Sequence, residues 1–198
     1  MIRVWILLLL LIPTSCLAGP PPWCVRVFCH KDNDGIVDFT GSGVLIETDL
    51  VVTNYHVIRG KKTFQVMFPD WESVDGTVVK YDKDVDLALI KIPESYRNTA
   101  PVGKLVRQGL IVKGHGYGQG IYKNGVGVVT SFAGTLTNPF CFFYISGHQA
   151  RPGDSGGPVA NTSGKVIGIA SGAGPDTTLA IKFEEVEKLV AAYKKEKK

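Results

Sequence analysis

The sequence predicts an all-β protein with a single helix at its C-terminal end. Three observations carry this. Short apolar runs rich in β-branched residues recur along most of the chain, and glycine-containing turns separate them. The runs fall into two groups of roughly six, on either side of the proline-containing stretch 93–102. The final segment alone changes from strand-like to helical spacing. The chain has 198 residues, 44% of them hydrophobic and 20% charged, which places it among globular proteins rather than disordered ones.

In order, the first group of predicted strands covers 25–29, 43–47, 50–53, 63–68, 77–81 and 87–92. The second covers 109–114, 125–134, 141–145, 157–160, 166–171 and 178–181. Asn33-Asp34-Gly35 and Asn161-Thr162-Ser163-Gly164 supply turn chemistry between neighbours. Residues 93–102 read as the linker between the halves. Phe183, Val186, Leu189, Val190 and Tyr193 then recur at helical spacing among charged residues, the pattern of an amphipathic helix with one face on the body.

The first 18 residues are not expected to belong to the fold. Met1-Ile2-Arg3 is a positive start, 4–12 is apolar with five consecutive leucines, and Cys16-Leu17-Ala18 ends in a small residue suited to cleavage after Ala18. The apolar run falls well short of the ~20 residues that span a bilayer, and Pro13-Thr14-Ser15 makes a poor lipidation context for Cys16. The expectation is a secretory signal peptide, a secreted or periplasmic protein, and no stable membrane insertion once the signal is removed. The formal charge of +4 is concentrated in Lys194, Lys195, Lys197 and Lys198, which read as a solvated helix end and not as a nucleic-acid or membrane surface.

Removal of Cys16 would leave Cys24, Cys29 and Cys141, an odd number that permits at most one internal disulfide. Cys24 and Cys29 face opposite sides of a straight strand, so the expected bridge joins one of them to Cys141. No C-x-x-C or H-x-x-x-H spacing accompanies them, and no metal is expected.

Three segments carry chemistry. Gly153-Asp154-Ser155-Gly156-Gly157-Pro158 surrounds a serine with glycines. A tight turn there exposes the hydroxyl and aims the N–H groups of Gly153 and Ser155 at one spot, an oxyanion hole in which one donor is typically worth about 3 kcal/mol of barrier. Thr53-Asn54-Tyr55-His56-Val57 follows two apolar runs and places a histidine upstream. Asp86 abuts the apolar run Leu87-Ala88-Leu89-Ile90, where a carboxylate is well placed to hold a histidine Nδ1–H, while Asp82 and Asp84 compete for that role from a polar turn. A serine hydroxyl needs a base and the base needs an orienter. The chain order His, Asp, Ser is the chymotrypsin order among the unrelated triads.

On these residues the chain resembles the chymotrypsin-fold, trypsin-like serine proteases, and most closely the HtrA/Deg protease domain. Gly41-Ser42-Gly43-Val44-Leu45-Ile46, Thr53-Asn54-Tyr55-His56-Val57 and Asp86-Leu87-Ala88-Leu89-Ile90-Lys91 are similar to HtrA segments, and Gly153 to Pro158 to the trypsin form of the serine motif. The resemblance covers about residues 24 to 192. It implies two six-stranded antiparallel β-barrels with the triad in the cleft between them, divided as signal 1–18, first barrel 19–96, second barrel 97–182, and helix with basic tail 183–198. It also implies hydrolysis of peptide bonds in a polypeptide substrate through an acyl-enzyme, without a cofactor. His56 would act as base then acid, Asp86 as orienter, Ser155 as nucleophile, and Gly153 N–H with Ser155 N–H as oxyanion donors. The strand containing Ser171 would pair with substrate backbone.

Departures from the family matter too. No Ile-Val-Gly-Gly-like start follows the signal, so Asp154 is not expected to meet a new N-terminus; an internal cation is the alternative, and Arg151 is one local candidate. Val57 stands where animal trypsins carry cysteine, and no PDZ-like segment follows. Gln149 occupies the position of the trypsin pocket base, so preference for Arg or Lys is not expected. Ala173 and Ala180 resemble pocket-wall positions and favour small or medium apolar P1 side chains, whereas His148 would favour acidic ones. Two rival readings are a catalytically silent, protease-like binding protein and a serine esterase or amidase.

Overall fold

The computed structural model describes residues 19–30, 37–61 and 63–197. The signal segment 1–18 and the Asn33-Asp34-Gly35 turn lie outside the described residues. Strands β1 (Cys24–His30), β2 (Val37–Glu47), β3 (Leu50–Thr53), β4 (Thr63–Met67), β5 (Ser73–Asp82) and β6 (Leu87–Lys91) close into a barrel in the order β1-β2-β3-β6-β5-β4. Strands β7 (Ile111–Gly116), β8 (Lys123–Ala133), β9 (Phe142–Ser146), β10 (Pro158–Asn161), β11 (Val166–Gly174) and β12 (Thr177–Lys182) close into a second, ordered β10-β11-β12-β9-β8-β7. All pairings within the barrels are antiparallel. Closure leaves no continuous sheet edge, which is how all-β chains of this size avoid edge-to-edge association.

Every predicted strand is present, with three extended. β2 starts at Val37, before the predicted 43, because Gly41-Ser42-Gly43 runs inside the strand as a close-approach segment and not as a turn. β5 begins four residues early at Ser73, and β11 continues to Gly174. Residues 93–102 hold no strand but are pinned: Ser95 N–H donates to Thr48 O and Ala100 N–H to Leu45 O on the first barrel, and Gly103 N–H to Val166 O on the second.

Helix α2 (Phe183–Glu196) buries Phe183, Val186, Leu189 and Tyr193 of the face its sequence period predicted, and the fifth residue, Val190, is half-buried. It lies against β5, β6, β11 and β12, so its apolar face joins first-barrel residues such as Leu89 to Ile169 and Ile181 of the second. The terminal lysines are not all free in solvent. Lys194 Nζ pairs with Glu47 at 2.6 Å, and Lys197 Nζ sits 4.7 Å from the Tyr193 ring centre. Such exposed pairs contribute little stability, so the apolar face does the anchoring.

The cysteine expectation needs correction. Cys24 and Cys141 are both free and fully buried, Cys24 within β1 and Cys141 just before β9. Each serves as a small core side chain. Burial, with the Asp154 carboxylate as a lesser cause, pushes the Cys24 thiol far above its ordinary range and keeps it unreactive.

Candidate active site

β3 ends at Thr53 and the chain turns through the short helix α1 (Tyr55–Ile58). Val57 and Ile58 are buried and anchor this turn, which leaves His56 outward with 43% of its side chain exposed. The Asp86 carboxylate grips His56 twice: Oδ1 accepts from His56 N–H at 2.9 Å and Oδ2 lies 2.8 Å from Nδ1. A carboxylate can only accept, so Nδ1 carries the ring proton and Nε2 of the neutral ring keeps a free lone pair. Asp86 itself holds a left-handed backbone, φ +59°, which costs a non-glycine residue about 1–2 kcal/mol. Its carbonyl is tied by Tyr55 N–H at 3.1 Å and Asn54 Nδ2 at 3.0 Å, which maintains the conformation.

Burial alone would raise the Asp86 carboxyl, but hydrogen bonds from His56 and Ser171 outweigh it and hold the group below the usual carboxylate range. Ser171 Oγ donates to Oδ2 at 2.6 Å. Among the three neighbouring aspartates, only Asp86 meets His56. Asp82 Oδ1 instead accepts from Asp84 N–H at 2.9 Å and closes the turn before β6.

Ser155 arrives from the second barrel, on the loop between β9 and β10. The loop is tied to both barrels: Ser42 N–H of the first donates to Ser155 O at 2.7 Å, and Gly156 N–H donates to Ala170 O of the second at 2.8 Å. Ser155 Oγ lies 3.3 Å from Ser171 O, to which it donates, and no hydrogen bond joins it to His56 among the described residues. Ser171 thus touches Asp86 through its side chain and Ser155 through its carbonyl. Gly153 and Gly156, with φ of +97° and +85°, supply the two left-handed bends that carry the serine between them. A Cβ at Gly156 would stand 2.1 Å from Ser42 O and 2.3 Å from Thr53 Oγ1. Gly156→Ala combines backbone strain with overpacking and should cost about 3 kcal/mol. In thermal unfolding that appears as a Tm about 6–12 °C lower; an unchanged Tm contradicts the close approach.

Asp154 is 4% exposed and pairs with Arg151, the local cation expected from the sequence. Arg151 N–H donates to Oδ2 at 2.9 Å, Nε to Oδ2 and Nη2 to Oδ1 at 3.2 Å each, and Gly118 N–H to Oδ1 at 2.7 Å.

The specificity candidates separate. Gln149 and Ala173 are exposed, whereas Ala180 is fully buried in the second-barrel core and lines no open surface. His148 is turned onto β7 and β8: a Cβ at Gly114 or Gly125, which pair across the ladder, would stand 2.3 or 2.2 Å from its ring nitrogens. Burial is the first cause that keeps this imidazole below its ordinary range. β11 pairs with β10 only as far as Ile169, and Gly172 to Gly174 pair on one side with β12. Among the described residues no strand pairs with the other side of that stretch, which follows Ser171, the acceptor of Ser155 Oγ. Sequence reasoning missed Ser42, which is fully buried, bonds the serine loop at Gly153 O and Ser155 O, and accepts from Tyr117 N–H of the β7–β8 connection. Its only local signal was a polar residue between two in-strand glycines.

Comparison with known proteins agrees with this architecture. The family model described as Trypsin-like peptidase domain matches residues 41–169. The chain is 32% identical over 130 residues to "Protease Do-like 1, chloroplastic" of Arabidopsis thaliana, covering 60% of this chain and 29% of that protein. It is 34% identical over 155 residues to "Serine protease Do-like HtrA" of Lactococcus lactis, covering 69% of this chain and 38% of that protein. It therefore spans well under half the length of these curated relatives. Among solved structures, the serine endoprotease from Yersinia pestis superposes with a TM-score of 0.77 at 22% identity, covering 87% of this chain and 62% of that one. With the family model matching more than half of its length, the chain belongs to the trypsin-like peptidase domain family.

Proposed function

We propose that the chain is an exported serine endopeptidase in which Ser155 is the nucleophile, His56 the general base and acid, and Asp86 the orienter. The observation that carries this is the continuous polar link His56–Asp86–Ser171–Ser155, at 2.8, 2.6 and 3.3 Å, which joins residues from both barrels. On this reading Ser155 Oγ turns from Ser171 O to His56 Nε2 when substrate binds, since catalytic hydrogen bonds commonly tighten only in the substrate complex. Oγ attacks the scissile carbonyl carbon while its proton passes to Nε2, and the N–H groups of Gly153 and Ser155 receive the oxyanion. The C–N bond then breaks as Nε2 returns the proton to the leaving amine. Water, deprotonated by the same nitrogen, releases the acyl group. The open side of Gly172–Gly174 supports substrate binding as an added antiparallel strand. Export rests on the sequence of residues 1–18.

The test is fluorophosphonate labelling of the mature protein, followed by mass-spectrometric profiling of peptide cleavage with Ser155→Ala as control. Label on Ser155, with cleavage after small or medium apolar residues, is expected from the neutral Gln149 and the Ala173 side chain. Cleavage mainly after Arg, Lys or Glu overturns the specificity. Absence of label overturns catalysis in favour of a binding role, and label with ester but no peptide turnover favours an esterase.

A further inference from the structure

On the outside of the second barrel, strand period brings Ile111, Lys113 and His115 of β7 onto one face. Val126 of β8 and Ala160 of β10 stand opposite Lys113 on the two neighbouring ladders. Pro21 and Trp23, at the start of the first barrel, wall this face at one end, and the β10–β11 turn at Asn161 walls it at the other. The cavity between them measures about 360 Å³, within the range of small-molecule sites, about 300–1,000 Å³. None of its lining residues belongs to the proposed triad.

The cavity carries one sign of charge. Lys113 is half-buried, and among the described residues no aspartate or glutamate lines the space around it. The lysine ion pairs among the described residues involve Lys80, Lys91, Lys104, Lys188 and Lys194, never Lys113. Asn161 uses its acceptor within its own turn, where Oδ1 takes Ser163 N–H and Lys165 N–H at 3.0 Å each. His115 Nδ1 lies 2.7 Å from the Tyr122 hydroxyl, which accepts from Asn124 Nδ2 at 3.5 Å and so donates to the ring. The ring proton is then on Nε2, a donor with no acceptor among the described residues. Burial, and next the Lys113 ammonium, push His115 down to about 4, so the ring is neutral near pH 7. Around these two donors the walls are apolar. Ile111 and Val126 are 50% and 59% exposed, and Trp23 meets the His115 ring edge-on at 6.0 Å. An ammonium drawn part-way out of water without a counter-charge favours an anion.

We propose that this cavity binds a small free alkyl carboxylate, its head on Lys113 Nζ and His115 Nε2 and its chain along Ile111, Val126 and Trp23. Charge selects the occupant. An alkylammonium would meet Lys113 with no acceptor to hold it, and a neutral alcohol would leave the ammonium uncompensated. The site is independent of the proposed protease chemistry, because neither the triad nor the Gly172–Gly174 edge takes part in it. A bound carboxylate would touch Trp23 from the first barrel and β7 from the second, so it should stabilise their docking.

The experiment titrates the mature protein with octanoate, octan-1-ol and octylammonium by calorimetry and maps the octanoate contacts by NMR chemical shifts. Octanoate should bind at one site with a Kd of about 0.1–1 mM, the range open to so few atoms. It should shift the signals of Lys113, Val126 and the Trp23 indole and raise Tm as its concentration rises. The alcohol and the ammonium should bind at least about tenfold more weakly, the scale of one charge-assisted hydrogen bond. Lys113→Gln should lose about tenfold in octanoate affinity and leave the alcohol unchanged. Val126→Glu alters an exposed residue directly across the ladder, gives Lys113 an internal partner and should abolish octanoate binding. Ser155→Ala should bind octanoate as wild type does. Absence of saturable binding overturns the proposal, as does equal affinity for the three ligands. Octanoate affinity unchanged in Lys113→Gln overturns it too, as do shifts confined to the surroundings of Ser155. Should Lys113→Gln fail to fold, Val126→Glu decides by the same criterion.

Discussion

Ser155→Ala should lower kcat/KM for peptide hydrolysis by about five to six orders of magnitude, the scale seen when a triad nucleophile is removed. The fold should be unaffected. Ser155 Oγ makes one long contact, 3.3 Å to Ser171 O, and the side chain is only partly buried, so its removal strands no buried donor. A change within about 0.5 kcal/mol, or a Tm within about 2 °C, is the expectation. Peptide binding should persist, because the open side of Gly172–Gly174 and the Gly153 N–H remain. The variant therefore becomes a trap that holds peptide without turning it over, measurable by fluorescence anisotropy. Its neighbour provides the contrast: Gly156→Ala alters stability through contacts with Ser42 and Thr53, whereas Ser155→Ala alters chemistry alone. Peptide turnover by Ser155→Ala at near wild-type rate would falsify the nucleophile assignment.

The strands were readable in the sequence because they differ so sharply from the turns between them. Segments such as Leu50–Thr53 and Leu87–Lys91 are buried on both faces and appear as apolar runs, so their ends were legible to within a residue. Gly41-Ser42-Gly43 was not, because glycine signals a turn locally but serves here as room for close packing inside a strand. The two-barrel closure came from resemblance, since a one-dimensional pattern cannot show which strands pair.

The candidate site divides along the same line. His56 and Ser155 were legible from short-range context, and Asp86 was preferred over Asp82 and Asp84 because it abuts a buried strand. Its carboxylate does meet His56, and a left-handed backbone held by Asn54 and Tyr55 aims it there. Contacts between distant segments were out of reach. Ser171 lies 85 residues from Asp86, and Ser42 lies 111 residues from Gly153, so no local pattern links them. Ala180 looked like a pocket wall by position alone, and strand register turns it into the core instead.

Asp86→Asn is the second large effect and the more discriminating one. Three donors converge on this carboxylate: His56 N–H and Nδ1–H, and Ser171 Oγ–H. An amide offers one acceptor oxygen and places an NH₂ where the other stood. If that NH₂ faces Nδ1, the ring must accept there and carry its proton on Nε2, the nitrogen needed as base. kcat should fall about 10⁴-fold with KM within about threefold, the loss expected from the wrong tautomer. Fluorophosphonate labelling of Ser155 should slow to a similar degree. A pH series separates this from a general loss of structure. The Asp86 carboxyl titrates below its ordinary value in the folded protein, so its stabilising contribution is fully present above the unfolded value of about 3.9 and is lost as pH falls through the lower folded value. The stability gap between wild type and Asp86→Asn should therefore be constant near neutrality and narrow below about pH 4. A kcat within tenfold of wild type, or a gap that does not narrow in acid, removes Asp86 as the group that orients His56, whatever the distance between them.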